Sequence, residues 1–317
     1  MGDARREPGP GRIFAILAFA SLVAPLLAQA QELEPRAYSP APVGTNFFAV
    51  AVGASRGAVL LDPTIPVTDV RARLDQATLG YARTFAFGSR PGLVSFGIPY
   101  VWGDVDGNVQ EQARQIHRSG LADVRVKMSV NFVGPKAMSP AEFATAPRRT
   151  IVGASLTVQA PTGEYDETKL INLGTNRWAF KPEVGVSVPV GQWYLDVYGG
   201  VWLFTTNDQF YPGGATRSQD PLTTLQAHAS YTFKSRAWLA ADATWYGGGA
   251  VAIDDSPPTA RQNNTRFGGT FSTPITKRQS LKIAISGGAS ARAGTDFQTY
   301  VVGWQLMWFD RPRASES

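Results

Sequence analysis

Hydrophobic and polar residues alternate with a period of two along most of the chain. Residues 223–249, TTLQAHASYTFKSRAWLAADATWYGGG, contain two such runs joined by a turn at Lys-Ser-Arg-Ala. This alternation predicts β-strands. About twelve runs are found, most of them roughly twice the usual strand length in a soluble domain: 46–57, 70–87, 92–105, 121–134, 150–161, 176–190, 192–206, 221–235, 237–249, 262–275, 279–292 and 296–309.

The connections between these strands alternate between short and long. Short turns such as Val190-Gly191-Gln192 and Thr276-Lys277-Arg278 are followed by long polar loops such as 103–123 and 250–263. Short turns at one rim and long loops at the other are typical of outer-membrane barrels whose termini lie in the periplasm. One connection on the short side is long, PKAMSPAEFATAPRR (135–149), and we interpret it as a periplasmic insertion.

Each strand has one apolar face and one face with full charges, so either face could be the inner one. Apolar faces turned inward would make a two-sheet sandwich, and apolar faces turned outward would make a membrane barrel. The apolar faces carry many small residues, and aromatic residues gather near the strand ends, which favours an aromatic girdle at the lipid interface. We predict an all-β fold, a transmembrane antiparallel up-and-down barrel over 46–309, with interface aromatics Trp178, Trp193, Trp238, Trp245 and Trp308.

The N-terminus has the pattern of an export signal. Basic residues precede an apolar stretch, Ile13 to Ala28, and Ala28-Gln29-Ala30 resembles a signal-peptidase site. We therefore predict a signal peptide at 1–30 and localisation in the outer membrane of a Gram-negative bacterium. The following segment, 31–45, is interrupted by prolines and cannot form a regular strand. It is predicted to be a periplasmic segment or a partial plug of the lumen, and 310–317 a C-terminal tail.

Composition excludes several classes of site. The chain has no cysteine, which excludes disulfides and thiolate metal sites, and only two histidines, His117 and His228. The net charge of +5 is scattered, so a nucleic-acid partner is not expected. No cofactor and no metal site are predicted. A lipid hydrolase is a weaker alternative. Alternation places His228 on the lumen face, and His117 lies in a polar loop, so neither histidine is expected where a lipid ester would arrive.

Alternation directs charged residues of both signs into the barrel interior. A barrel of about twelve strands is narrow enough for such side chains to fill much of it, so an ion-paired network is expected. Arg177, at a strand mouth with Trp178 and Tyr165 nearby, is a candidate contact for an aromatic or anionic solute. The complete set of candidates for the lumen and the solute path is Arg125, Lys127, Arg177, Lys181, Glu183, Asp196, His228, Asp242 and Lys282.

Three stretches resemble one known family. They are SLTVQAPTGEYDETKLINLGTNRWAFKPEVGVSVPVG (155–191), ELEPRAYSPAPVGTNFF (32–48) and GLADVRVKMSVNFVG (120–134). They are similar to the outer-membrane family named for the meta-pathway of phenol degradation. The resemblance implies a porin-like, transporter-like barrel linked to uptake of aromatic or other hydrophobic compounds, and it carries over no catalytic residues.

The sequence therefore predicts a non-enzymatic barrel for passive uptake of small hydrophobic or aromatic compounds. The expected partners are the lipid bilayer, the solute and the outer-membrane assembly machinery, whose recognition signal would be the aromatic end of the last strand. A structural or surface-interaction barrel with a closed lumen is the alternative.

Overall fold

The computed structural model describes residues 33–60, 67–109, 112–211, 214–258, 261–290 and 294–310. The predicted signal peptide and nearly all of the predicted C-terminal tail lie outside these ranges. Within them the chain forms the following elements: β1 Thr45–Leu60, β2 Val67–Phe87, β3 Arg90–Val109, β4 Gln112–Leu121, β5 Arg125–Val133, α1 Pro140–Phe143, β6 Ile151–Gln159, β7 Ala179–Val190, β8 Trp193–Phe204, β9 Asn207–Phe210, β10 Ala215–Gln219, β11 Leu222–Thr232, β12 Trp238–Gly248, β13 Val251–Ile253, β14 Gln262–Pro274, β15 Gln279–Ser290 and β16 Gly294–Phe309.

The main sheet closes on itself. It has thirteen strands, all paired antiparallel, and β1 pairs with β16 on one side and with β2 on the other. Strands β4 and β5 follow one another along β3 and together form one barrel strand, so the barrel has twelve. A small second sheet, β9, β10 and β13, is built from the long loops. The prediction of a barrel of about twelve strands is confirmed.

Apolar side chains face outward. Val126, Leu225 and Ile283 are 42%, 50% and 40% exposed, whereas their inward-facing neighbours Lys127 and Gln226 are 8% and 1% exposed. A sandwich would bury the first group and expose the second. The sandwich alternative is therefore excluded, and the barrel presents a hydrocarbon-facing wall and a polar interior. Among the described residues, no helix is long and apolar enough to cross a membrane.

The connections alternate as the sequence predicts. Tight turns join strands at one rim, called here the short-turn rim, and two of them use glycine at φ +59°, at Gly88 and Gly191. A positive φ is the conformation that glycine adopts without strain, which suits these turns. Segments 160–178, 205–221 and 249–261 join strands at the opposite rim, called the long-loop rim.

The interpretation of 103–123 as one long loop is wrong. Strand β3 continues to Val109, and β4 pairs with it from Gln112. This hairpin carries polar residues on its outer face, where the Nδ1 atom of His117 lies 3.0 Å from Asp104 Oδ1 and Arg73 Nη2 lies 3.6 Å from Asp106. Because this outer face is charged rather than apolar, the hairpin lacks the hydrophobic alternation that marks the other strands.

Candidate functional site in the barrel interior

Residues 33–44, called here the N-terminal segment, run inside the barrel. The segment leads into β1 at the short-turn rim, where the Gly44 amide donates to Thr84 O at 3.2 Å. Its side chains contact inward-facing residues from several different barrel strands, and Glu34, Arg36 and Tyr38 are at most 5% exposed. The lumen is therefore crossed by a piece of the chain that is not part of the barrel wall.

Arg36 is the best-anchored side chain of this segment. Its Nε donates to Ser230 Oγ and its Nη2 to Thr232 Oγ1, both at 2.7 Å. Its Cζ lies 4.8 Å from the centre of the Trp238 ring and 5.1 Å from that of Tyr194. Burial lowers the pKa of the guanidinium to about 10, so the group still carries its charge at neutral pH.

Tyr38 fits into a gap left by two glycines. Gly153 of β6 and Gly185 of β7 are cross-strand neighbours in the wall, and both face inward. A Cβ atom added to Gly185 would lie 2.3 Å from the Tyr38 ring and 2.5 Å from Tyr198, and one added to Gly153 would lie 2.5 Å from Tyr38. Glycine at these two positions is what allows the ring to approach the backbone of the wall.

The N-terminal segment and the wall share one buried charge cluster. Lys127 Nζ donates to Glu34 Oε2 at 2.6 Å and lies 3.7 Å from Glu183, and Lys181 Nζ lies 2.7 Å from Glu183 Oε2. The Tyr38 hydroxyl donates to Glu183 Oε1 at 3.2 Å. Three of the predicted lumen residues are therefore brought together, and the N-terminal segment supplies the additional carboxylate.

A second polar group lies further round the wall. His228 Nδ1 lies 2.7 Å from Asp242 Oδ1, and Thr270 donates to the other oxygen of this carboxylate at 2.8 Å. Asp196 accepts from the Arg36 amide at 3.1 Å. Lys282 Nζ lies 5.7 Å from the Trp238 ring centre. These residues also face the interior, but none of these contacts involves the charge cluster of Glu34, Lys127, Lys181 and Glu183.

Near the long-loop rim the inner wall becomes aromatic. Trp202, Leu222 and Tyr246 form a buried cluster with Ala179, and Phe204 packs against it. Cations surround this cluster. The Cζ of Arg177 lies 4.3 Å from the ring centre of Phe204, and that of Arg125 lies 5.5 Å from the ring centre of Trp202. Arg125 Nε also donates to Gln159 at 2.9 Å.

Arg177 and Trp178 do not act together as the sequence suggested. Arg177 is 6% exposed and points inward, where its Nη2 donates to Gln219, and burial lowers its pKa to about 9. Trp178 is 45% exposed and stacks on Phe180, with 6.3 Å between ring centres. Neighbouring residues of an extended chain point to opposite sides, which separates them. Tyr165 donates instead to Gln209 O at 2.8 Å.

Trp238 is not an interface aromatic. The side chains of Trp178, Trp193, Trp245 and Trp308 are 36% to 45% exposed, but Trp238 is 1% exposed. It shares its face of β12 with Ala240 and Asp242, which is the inward face. Sequence parity with Asp242 is a signal that could have placed Trp238 inside. Glu34, Arg36, Tyr38 and Trp202 were missed because their partners lie far away in sequence.

The fold is similar to those of several solved structures. A crystal structure of the COG4313 outer membrane channel from Pseudomonas putida F1 has a TM-score of 0.74 with 20% identity, covering 87% of this chain and 100% of that chain. The beta domain of the Bordetella autotransporter Brka has a TM-score of 0.52 with 10% identity, covering 83% and 100%. The transport unit of the Escherichia coli autotransporter AIDA-I has a TM-score of 0.50 with 12% identity, covering 94% and 99%. No curated protein sequence matches the chain.

The closed barrel, its apolar outer wall and these similarities define the protein as a β-barrel of the bacterial outer membrane. A family model described as "Putative MetA-pathway of phenol degradation" matches residues 53–305. The chain belongs to this family, and the resemblance drawn from the sequence is confirmed.

Proposed function

We propose that the protein is a passive outer-membrane channel for small hydrophobic or aromatic compounds, with the short-turn rim in the periplasm and the N-terminal segment acting as a plug. One observation carries this proposal. The lumen is crossed by a segment held mainly through side-chain contacts, whereas the wall strands are held by ladders of backbone hydrogen bonds. Such a segment can leave the lumen without opening the barrel wall.

The inner wall supports the choice of solute. The aromatic cluster around Trp202 lies in the lumen near the long-loop rim, with Arg125 and Arg177 against its rings. Rings and guanidinium groups together form a surface on which an aromatic solute can stack. The name of the family refers to phenol degradation, and the Pseudomonas putida relative in fold is described as a channel. Both agree with the proposal.

Solute flux through protein reconstituted in liposomes tests the proposal. Aromatic solutes such as phenol and benzoate should be compared with aliphatic alcohols and sugars, in the wild type and in a variant lacking residues 33–43. The deletion should raise the flux, because it removes the segment that crosses the lumen. A barrel that stays sealed after the deletion would contradict the proposal and favour the structural barrel with a closed lumen.

The second candidate is a lipid hydrolase on the outer wall, favoured by one observation. His117 is not in a loop but on β4, where it faces outward beside Asp104, and Ser119 lies two residues along on the same face. A base and an orienting carboxylate are therefore present. Within the part of the chain that the structure describes, no hydrogen bond joins Ser119 to His117, so the channel is preferred. Release of fatty acid by the wild type, lost in Ser119→Ala, would reverse this preference.

A further inference from the structure

A cleft at the short-turn rim combines apolar walls with three arginines. It lies between the N-terminal segment and the insertion 135–149, and its volume is about 110 Å³. This volume is below the range typical of drug-sized ligands, so the cleft suits a small molecule. No acidic side chain is among its lining residues, which are Arg36, Ser39, Pro40, Pro135, Phe143, Ala146, Pro147, Arg148, Arg149, Ile151 and Tyr194.

Two of these arginines contact the same ring. The Cζ of Arg36 lies 5.1 Å and that of Arg148 lies 5.4 Å from the centre of the Tyr194 ring. The hydrogen bonds of their guanidinium groups go to neutral acceptors: Arg36 donates to two hydroxyls, and Arg148 Nη1 donates to Gly191 O at 3.2 Å. In the part of the chain that the structure describes, Arg36, Arg148 and Arg149 form no ion pair with a carboxylate. The cleft therefore holds an excess of positive charge.

Two carboxylates adjoin the lining residues: Asp196 contacts the Arg36 amide, and Glu142 precedes Phe143 in the chain. One oxygen of Asp196 accepts from the Arg36 amide and the other from the Ser187 hydroxyl. Glu142 accepts from the amide and the hydroxyl of Ser139, both at 2.8 Å, and so caps α1. Among the described residues, neither carboxylate forms an ion pair with Arg36, Arg148 or Arg149. An anion entering from outside would supply the missing charge, and the apolar walls favour one with an apolar body.

We propose that this cleft binds a small organic carboxylate with an apolar body, such as an aromatic acid. A carboxylate accepts paired hydrogen bonds from a guanidinium, and Arg148 and Arg149 are both exposed, with no ion pair to a carboxylate of the described residues. Phe143 and the prolines would contact the apolar part of the ligand. The proposal rests on the proposed channel function only for its location at the periplasmic exit of the lumen, since binding itself requires no flux.

Calorimetric titration of the detergent-solubilised, full-length mature protein tests this. Benzoate should bind saturably, whereas its neutral analogue benzyl alcohol and inorganic sulfate should bind far more weakly. The double variant Arg148→Gln/Arg149→Gln should weaken benzoate binding by about tenfold or more, because charge-assisted hydrogen bonds are lost. Arg278→Gln, which removes an exposed arginine from another turn of the same rim, is the matched control and should not change it.

The outcomes separate the cleft from the channel. Equal binding of benzyl alcohol, competition by sulfate at equal concentration, or unchanged binding in the double variant would each overturn the carboxylate site. The heat-dependent gel shift of folded barrels verifies that each variant is folded. Benzoate binding without liposome flux would leave the cleft standing and remove the channel. Flux without benzoate binding would do the reverse.

Discussion

Replacing Arg36 with methionine should release the N-terminal segment from the lumen wall. The change removes two hydrogen bonds of 2.7 Å and the contacts of the guanidinium with Trp238 and Tyr194. Hydrogen bonds from a charged group contribute about 1.5–3 kcal/mol each, and a contact with a ring about 0.5–2 kcal/mol. Burial of the charge offsets much of this, and the methionine side chain regains some packing.

We therefore expect Arg36→Met to weaken docking of the N-terminal segment by about 2 kcal/mol. Since each 1.4 kcal/mol is a factor of ten, the ratio of undocked to docked segment should rise about 30-fold. The chain has no cysteine, so a single Ala41→Cys reports on this ratio directly. Ala41 is 5% exposed in the docked segment, which makes the rate of labelling by a water-soluble maleimide proportional to the undocked fraction. Labelling should be about 30-fold faster in Arg36→Met/Ala41→Cys than in Ala41→Cys alone.

Two further variants make this experiment decisive. Ser39→Ala changes the same segment but leaves the contacts of Arg36 in place, so the labelling rate should not change. Gly185→Ala places a methyl group 2.3 Å from the Tyr38 ring and should accelerate labelling by a route independent of Arg36. If neither Arg36→Met nor Gly185→Ala accelerates labelling, the N-terminal segment is not held by these contacts, and the reasoning is refuted.

Three other predictions follow from the buried charges, the tryptophans and the long-loop rim. Glu183→Gln leaves two buried lysines without their shared counter-charge, so the free energy of unfolding should fall by about 3–5 kcal/mol in a urea titration followed by gel mobility; an unchanged midpoint would contradict the network. In single-tryptophan variants, brominated lipids should quench Trp193 but not Trp238; equal quenching would place both at the lipid. A hydrogen bond from Lys169 lowers the pKa of Asp166 to about 2, so the stabilisation from the ionised Asp166 is fully present above pH 3.8 and is lost as the pH falls through about 2. Lys169→Met should raise the pKa of Asp166 toward 3.8 in an NMR titration, and an unchanged pKa would show that the lysine is not the cause.

Much of the wall was predictable because a barrel strand solves a local problem. Each strand must present apolar residues to lipid and polar residues to the lumen. Neighbouring residues face opposite sides, so this requirement produces an alternation that can be detected within a few residues. The run at 262–275 corresponds to β14, Gln262–Pro274, and the run at 279–292 to β15, Gln279–Ser290. Where the outer face is polar, as in β4 with Gln115, His117 and Ser119, there is no such alternation to detect.

The candidate site was predictable only in part. Alternation places Lys127, Lys181 and Glu183 on the inner face, but it does not say which of them meet. Their neighbour Glu34 comes from a segment 93 residues before Lys127, and such a distant contact leaves no local pattern. Trp238 shows the limit differently, since the aromatic type suggested an interface while the face of its strand was the inner one.

By itself, then, the sequence determined the number of barrel strands, their order and the side of each that meets lipid, because period-two alternation and turn lengths are local properties. Only the tertiary structure decided what fills the interior. Closure of the sheet determines three features: the route of residues 33–44 across the lumen, the packing of Tyr38 against two glycines, and the cleft with three arginines at the short-turn rim. Closure brings together side chains that no spacing along the chain connects.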